Sequence, residues 1–328
     1  MLINKWEIKS ERLGSLTLNV GETTVIFDEH NTQEETYLYA LDGYFKSRGS
    51  NEKVVSILDV NNGELIPSNK YVAYIYDNST LDGEHKLAAS SLLSKKVLRE
   101  STQSLESESY INSINVLVED LLTVLDLELP LTTNKFDLKA FIKLLEFSVN
   151  EEQNYLYNRL RIVLPKVIQE MKDLAKREII LIYLYPESGL SSNEQMEYRK
   201  FLDTLPLKKI ILTSSPNFIA TKLFENNWIV KGKQIITEKL IDDMYWECPL
   251  NYSKEDITES LFKIFKYYLP KLETNPRITN YELCDIILFN PLDIYTLVYF
   301  LKNHGFSYDI NLEYSRVPDS LTKYLKSL

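Results

Sequence analysis

Lysine and arginine are missing from Ser101 to Asn134, a stretch that carries Glu106, Glu108, Glu119, Asp120, Asp126 and Glu128. The 328-residue chain as a whole has a net charge of −10. That average argues against nucleic acid, but binding needs a basic patch and not a basic chain. No window approaches the roughly 18 apolar residues of a membrane span. The opening MLINKWEIKSERLG has no apolar core, so a signal peptide is not expected there. The two cysteines, Cys248 and Cys284, lie far apart and make no metal or redox spacing, which points to a reducing cytoplasm. His30, His85 and His304 are scattered, without a Cys-His or Ser-His pairing.

A P-loop is also lacking, although its scaffold is present. TTVIF reads as a strand, DEHNTQEE as a turn and QEETYLYALDGYFKS as a helix with Tyr37, Leu38, Leu41 and Phe45 on one side. A working loop needs glycines for close backbone approach, a lysine for the phosphates and a hydroxyl for magnesium. Here Asp28, Glu29, Glu34 and Glu35 would repel a triphosphate, and Asn31 or Thr32 reads as a helix cap. No nucleotide is expected. A second imitation is Asp77 followed by Glu84-His85-Lys86, close to the D…E-x-K pattern of metal-dependent nucleases. The carboxylates are too close in sequence, and Gly83 is expected to start a helix. Glu187 and Ser188, after a buried strand, suit a loop or a helix start. No catalytic residue is therefore expected.

What is present is alternation followed by a change of grain. KVVSILDV and KYVAYIYD are strand-like runs too close together for a crossover helix between them. Helical periods then take over: Ile114, Leu117, Val118, Leu121, Leu122 and Leu125; next Leu138, Phe141, Ile142 and Leu145; then Leu156, Leu160, Val163, Val167 and Ile168, with Pro165 able to kink the last helix. Strands return with REIILIYLY and KKIILTS, apolar enough to be buried on both faces. The expected fold class is α/β, with residues 1–88 and 177–249 forming a head, 89–176 a helical leg inserted into it, and 250–328 a tyrosine-rich helical C-terminal unit.

The charge pattern follows this division. Between Lys135 and Arg177 nine bases face six carboxylates, the reverse of the preceding acidic stretch. Lys139 with Lys143, Lys95 with Arg99, and Lys172 with Lys176 are i, i+4 neighbours and share helix sides. Without a zinc finger, a helix-turn-helix or an aromatic run, such a surface would hold duplex backbone without reading sequence. The acidic run VEDLLTVLDLELP could contribute oxygens to a calcium site.

The stretches TTVIFDEHN…YLYAL, VAYIYDNSTLDGEHKLAAS, INVLVEDLLTVLDLEL…FDLKAFIKLLEF and LAKREIILIYLYPESGLSSNEQMEYRKFLDTLPLKKIILTSS, in this order, resemble the CRISPR-associated ring protein of type II-A systems. This is the Csn-two family, an accessory of spacer acquisition, and the chain's length suits its long-chain subgroup. The resemblance covers Leu16 to Asn217 and lies in element order, not in a short signature. It implies a P-loop-NTPase-like head with a degenerate nucleotide site and no ATPase activity. It also implies a homotetrameric ring enclosing linear double-stranded DNA, with the spacer integrase complex and the RNA-guided effector nuclease as partners. By this resemblance the DNA-binding residues are Lys139, Lys143, Lys172, Lys176 and Arg177, with Lys95 and Arg99 secondary. Some relatives bind Ca2+ after the first leg helix; the matching positions here are Asp126, Glu128 and Asp137, with Pro130, Thr132 and Thr133 where further acids would be expected. The competing expectations are an interaction scaffold indifferent to DNA, and an NTPase or metal-dependent nuclease.

Overall fold

The computed structural model describes residues 4–28, 33–46, 55–125, 132–148, 155–230 and 232–327. The chain forms two compact units, the first from residues 1–75, 180–187 and 206–328, the second from 76–179 and 188–205.

The first unit opens with a hairpin of β1 (Asn4–Ser10) and β2 (Gly14–Val20), which pairs Trp6 with Leu18 and Ile8 with Leu16. Alternate residues of β1 face the core, as the two-residue period of a half-buried strand requires. β3 (Thr23–Phe27), whose five residues are all buried, leads to α1 (Gln33–Lys46). Next come β4 (Val55–Asp59), β5 (Glu64–Leu65) and β6 (Tyr71–Tyr76). The close spacing of β4 and β6 has a simple explanation. β4 joins an antiparallel sheet ordered β2-β1-β4-β5, whereas β6 is the edge of a separate six-stranded sheet.

The second unit is helical: α2 (Asn78–His85), α3 (Leu92–Gln103), α4 (Leu105–Val124), α5 (Leu138–Ile142) and α6 (Leu156–Leu174). After β7 (Glu178–Leu184) it adds α7 (Ser192–Asp203). Three expectations need correction here. α2 starts at Asn78, not Gly83, because Asp77 and Thr80 form a reciprocal capping box. The Leu138–Leu145 stripe yields a helix only to Ile142, the one buried residue in it. The Ile114–Leu125 stripe does form a helix, but α4 buries none of its residues, and Leu117 and Leu121 are 67% and 63% exposed. By contrast α6 buries Leu160, Val163, Val167 and Ile168, and Pro165 lies on its exposed side within a continuous helix.

The chain returns to the first unit through β8 (Lys208–Thr213), β9 (Asn226–Val230) and β10 (Lys233–Gln234). The central sheet runs β10-β9-β3-β8-β7-β6, with β3 parallel to both β8 and β9. α1 packs with both sheets, and its Leu38 and Leu41 share one core with Ile8, Leu18, Ile26 and Leu212. Each such fully buried aliphatic side chain contributes roughly 1.5–3 kcal/mol.

The remainder comprises α8 (Glu238–Glu247), α9 (Lys254–Tyr268), β11 (Arg277–Thr279), β12 (Ile286–Ile287), α10 (Pro291–His304), β13 (Asp309–Asn311) and α11 (Asp319–Lys326). Expected to be helical alone, it also holds a parallel sheet ordered β12-β11-β13. Strands of two or three residues carry no readable period, so they escaped the sequence analysis. α10 is buried from Leu292 to Leu301, as the central helix of a small domain must be. Its core is continuous with Phe27, Leu223 and Trp228 of the central-sheet region.

One buried amide ties the two large sheets. Asn227, on β9, accepts from Asn19 N (2.7 Å) and from Gln234 Nε2 (2.8 Å), and donates to Asn19 O (3.0 Å) and Val25 O (3.2 Å). Replacing Asn227 with leucine orphans these buried partners, so a loss of about 2–4 kcal/mol is expected from denaturant titration. A loss no larger than that of an exposed substitution would show that the amide does not hold the sheets.

Candidate nucleic-acid interface

In a nucleotide-binding α/β sheet the ligand lies beyond the carboxyl ends of the central strands. Here β3, β7 and β8 end in Asp28, Tyr185 and Thr213 to Ser214. Of the turn singled out in the sequence, Glu29, His30, Asn31 and Thr32 lie outside the described residues; Asp28, Glu34 and Glu35 lie within them.

The donors at the end of β8 are taken by the protein itself. Glu187 accepts from Thr213 Oγ1 (2.8 Å), Ser214 N (2.7 Å) and Ser214 Oγ (2.9 Å). A carboxylate thus occupies hydrogen-bond donors that an anion could otherwise use. Tyr185 adopts φ 44°, a left-handed conformation rare for a bulky residue and a local cost of order 1–3 kcal/mol. Its hydroxyl reaches Asp28 Oδ2 at 3.4 Å, and burial, reinforced by Asp28, Glu35 and Glu187, pushes its phenol well up. Glu34, in the first turn of α1, is 4% exposed, and its Oε2 has no hydrogen-bond partner among the described residues. Burial, aided by the charge of Asp28, holds its carboxyl above the usual carboxylate range. The region is acidic and largely self-satisfied, a poor seat for a triphosphate.

The nuclease-like pattern is also accounted for by structure. Asp77 caps α2, and Glu84, 3% exposed, accepts from Tyr76 Oη, Leu92 N and Leu93 N. It holds the start of α3 and has no face left for a metal.

The basic residues belong to the helical unit. Lys139 and Lys143 are exposed at the two ends of one α5 turn, whose backbone bond runs from Lys143 N to Lys139 O. Lys95 is exposed on α3, and Lys172, Lys176 and Arg177 are exposed on α6 and just past it. Among the described residues none of these six has an ion-pair partner. Because α3 packs against both α5 and α6, the three helices that carry them are neighbours. Arg99 differs. Its Nη2 lies 2.8 Å from Glu170 Oε1, and Lys96 Nζ lies 3.3 Å from the other oxygen. Glu170 has a fully buried side chain, so Arg99 neutralises a carboxylate between α3 and α6. Lys135 and Lys166 were not singled out, yet both are exposed without an ion pair among the described residues. For Lys166 the signal was available, since it falls outside the buried Leu160, Val163, Val167 and Ile168 stripe of α6.

Asp137 is committed as the cap of α5, accepting from Ala140 N at 2.7 Å, while Asp126 and Glu128 lie outside the described residues. Among the described residues no group of three His, Cys, Asp or Glu stands close enough to hold a metal, and no helix is long and apolar enough to cross a membrane.

No protein-family model and no curated protein matches the chain. Among solved structures it is similar to the crystal structure of Stu0660 of Streptococcus thermophilus, with a TM-score of 0.54 and 17% identity, over 98% of this chain and 99% of that one. That likeness concerns the fold. A further match, the SMC head domain from Thermotoga maritima, has a TM-score of 0.31 and 10% identity over 71% of this chain and 97% of that one, too low to carry an argument.

The buried Glu34 gives a test by pH. An acid whose folded pKa is raised destabilises the fold once ionised, so its contribution is most favourable below the unfolded value and is lost as pH rises through the folded one. Glu34→Gln should therefore be more stable than the wild type at pH 7, with the difference shrinking towards pH 4 in paired thermal melts. Equal stability at every pH would mean that folding does not shift the Glu34 pKa, and a less stable Glu34→Gln at pH 7 would mean that Glu34 is ionised and paired.

Proposed function

We propose that this protein is a non-catalytic, sequence-independent binder of linear double-stranded DNA that acts as a homotetrameric ring in CRISPR spacer acquisition. The observation that carries the reading is the set of exposed lysines and Arg177 on, or just past the ends of, neighbouring helices, without ion pairs among the described residues. Free ammonium groups gain most from displacing the counterions of a phosphate backbone. The acidic end of the central sheet supports the absence of nucleotide chemistry, because Glu187 uses the donors an anion would need. The similarity in element order to the type II-A ring proteins supplies the biological setting, and the full-length likeness to Stu0660 supports the fold it requires.

Assembly is supported by α4, which leaves Leu105, Leu117, Leu121 and Val124 more than 60% exposed. Apolar surface of this extent on one helix calls for a partner, and a repeated basic surface around a closed ring multiplies weak phosphate contacts. Topological enclosure would favour DNA with a free end. The integrase complex and the RNA-guided nuclease are the partners this role requires. An interaction scaffold without DNA binding is the second reading, favoured by Trp246, which is 88% exposed on α8 beside the half-exposed Tyr245.

Lys139→Glu with Lys143→Glu should weaken duplex binding by ~100-fold or more at 0.1 M salt, while the wild-type affinity falls steeply as salt rises. The measurement is a gel shift in which labelled linear duplex is challenged by matched linear and covalently closed circular DNA. Unchanged affinity in the double variant removes these lysines from the interface. No wild-type binding even at low salt favours the scaffold, and turnover of ATP or nicking of DNA with magnesium would establish an enzyme.

A further inference from the structure

The first unit contains a second concave feature, at the opposite end of the central sheet from Asp28 and Tyr185. A cleft of about 990 Å³ opens where β3, β6, β8 and β9 begin. This volume reaches the top of the range typical of small-molecule sites. Its floor is apolar: Trp6 and Tyr71 lie with ring centroids 5.5 Å apart, and Val20, Leu207 and Phe224 complete it. Gly21 is required there, since a Cβ at that position would meet Glu225 Cγ at 2.7 Å.

The charges around this floor are arranged unevenly. Lys208 Nζ sits 4.8 Å from the centroid of Tyr71 and donates to its hydroxyl at 3.1 Å; Lys70 Nζ sits 5.4 Å from the same ring. Two ammonium groups therefore approach one aromatic side chain. Elsewhere on the lining the carboxylates are already matched in part: Glu225 pairs with Lys222 at 3.1 Å, and Glu238 with Lys5 at 2.8 Å. Glu22 and Asp59 remain on the lining, and Asp59 accepts from Asn61 N and Asn62 Nδ2.

We propose that this cleft binds a singly charged carboxylate ligand with an apolar body, the carboxylate lying between Lys70 and Lys208 and the body over Trp6, Leu207 and Phe224. A charge-assisted contact to two ammonium groups gives the orientation. Lys70, Lys208 and Lys222 stand against Glu22, Asp59, Glu225 and Glu238 on the lining, so the cleft has no surplus positive charge: a single carboxylate depends on the Lys70 and Lys208 ammonium groups, and the triphosphate of a nucleotide would be repelled. Amide or hydroxyl donors on the ligand would find those same carboxylates as acceptors. The chemistry suits either a free amphipathic acid or the C-terminal end of a peptide. This site is independent of the DNA-binding reading, since none of its residues belongs to the helical unit.

The test is calorimetric titration of the full chain with N-acetylleucine and with an N-acetylated tetrapeptide ending in leucine, each as free acid and as carboxamide, with ATP as a further probe. Saturable binding of at least one free acid is expected, with its carboxamide about tenfold weaker or more. Binding of N-acetylleucine assigns a small acid, and binding of the tetrapeptide alone assigns a peptide end. Lys70→Ala, an exposed position, should weaken the free acid by a similar factor with the melting temperature unchanged. Lys70→Ala combined with Lys208→Met should remove binding; if the double variant fails to fold, Lys70→Ala alone decides. No binding of either acid up to 10 mM, equal binding of acid and carboxamide, an unaffected Lys70→Ala variant, or preferential binding of ATP would each overturn the assignment.

Discussion

A buried polar group must find partners, and in this chain that requirement fixes how the two large sheets meet. Asn227 is fully buried on β9, and its amide reaches Asn19 of the antiparallel sheet, Val25 of β3 and Gln234 of β10. The side chain thereby hydrogen-bonds strand backbone on both sheets. With that joint set, α1 is held over a core shared by both sheets, and β3 takes up its place between β8 and β9. Everything positioned by the ends of the central strands follows from it, including the acidic constellation at one end and the mixed-charge cleft at the other.

The strand-turn-helix at β3 and α1 illustrates how a scaffold outlasts a chemistry. Its core-facing residues are committed: Val25, Ile26 and Phe27 to the sheet, and Leu38, Leu41 and Phe45 to the core. Those packing terms do not depend on whether a phosphate lies at the turn. What a phosphate would need is instead supplied with carboxylates, at the cost of a strained Tyr185 and a buried Glu34 whose pKa is pushed up by burial. Electrostatics separates the two units in the opposite sense. The helical unit keeps exposed lysines clear of ion pairs among the described residues, yet spends Arg99 and Lys96 on Glu170, because an unpaired buried carboxylate there would be far more costly than two surface charges held still.

Where sequence reading succeeded, the signal was local and strong. β7 and β8 announced themselves as continuous apolar runs, and the spacing of Leu160, Val163, Val167 and Ile168 gave the buried face of α6. It failed where the deciding partner was distant. The stripe of α4 has the same period as a core-facing helix, and nothing in it tells that this chain leaves the helix uncovered. The N-terminal hairpin and the two- to three-residue strands of the C-terminal region were too short or too mixed to read. At the candidate interface the exposure of Lys139, Lys143 and Lys172 followed from helix spacing, whereas Lys176, expected on the same helix side as Lys172, lies beyond the end of α6, and the capture of Arg99 by Glu170, 71 residues away, was not legible.

The sequence by itself determined the alternation of strands and helices, the helical insertion, the segregation of charge and the loss of the glycines and lysine a P-loop needs. These properties depend on residue type and short-range period. The tertiary structure alone decided that Glu187 would take the donors of Thr213 and Ser214, that Arg99 would be tied down while Lys139 has no ion pair among the described residues, and that Lys70 and Lys208 would meet at one tyrosine. Each of those outcomes joins residues far apart in the chain. Hydrogen bonds and ion pairs act over a few ångströms, so they are settled only when folding brings such groups together.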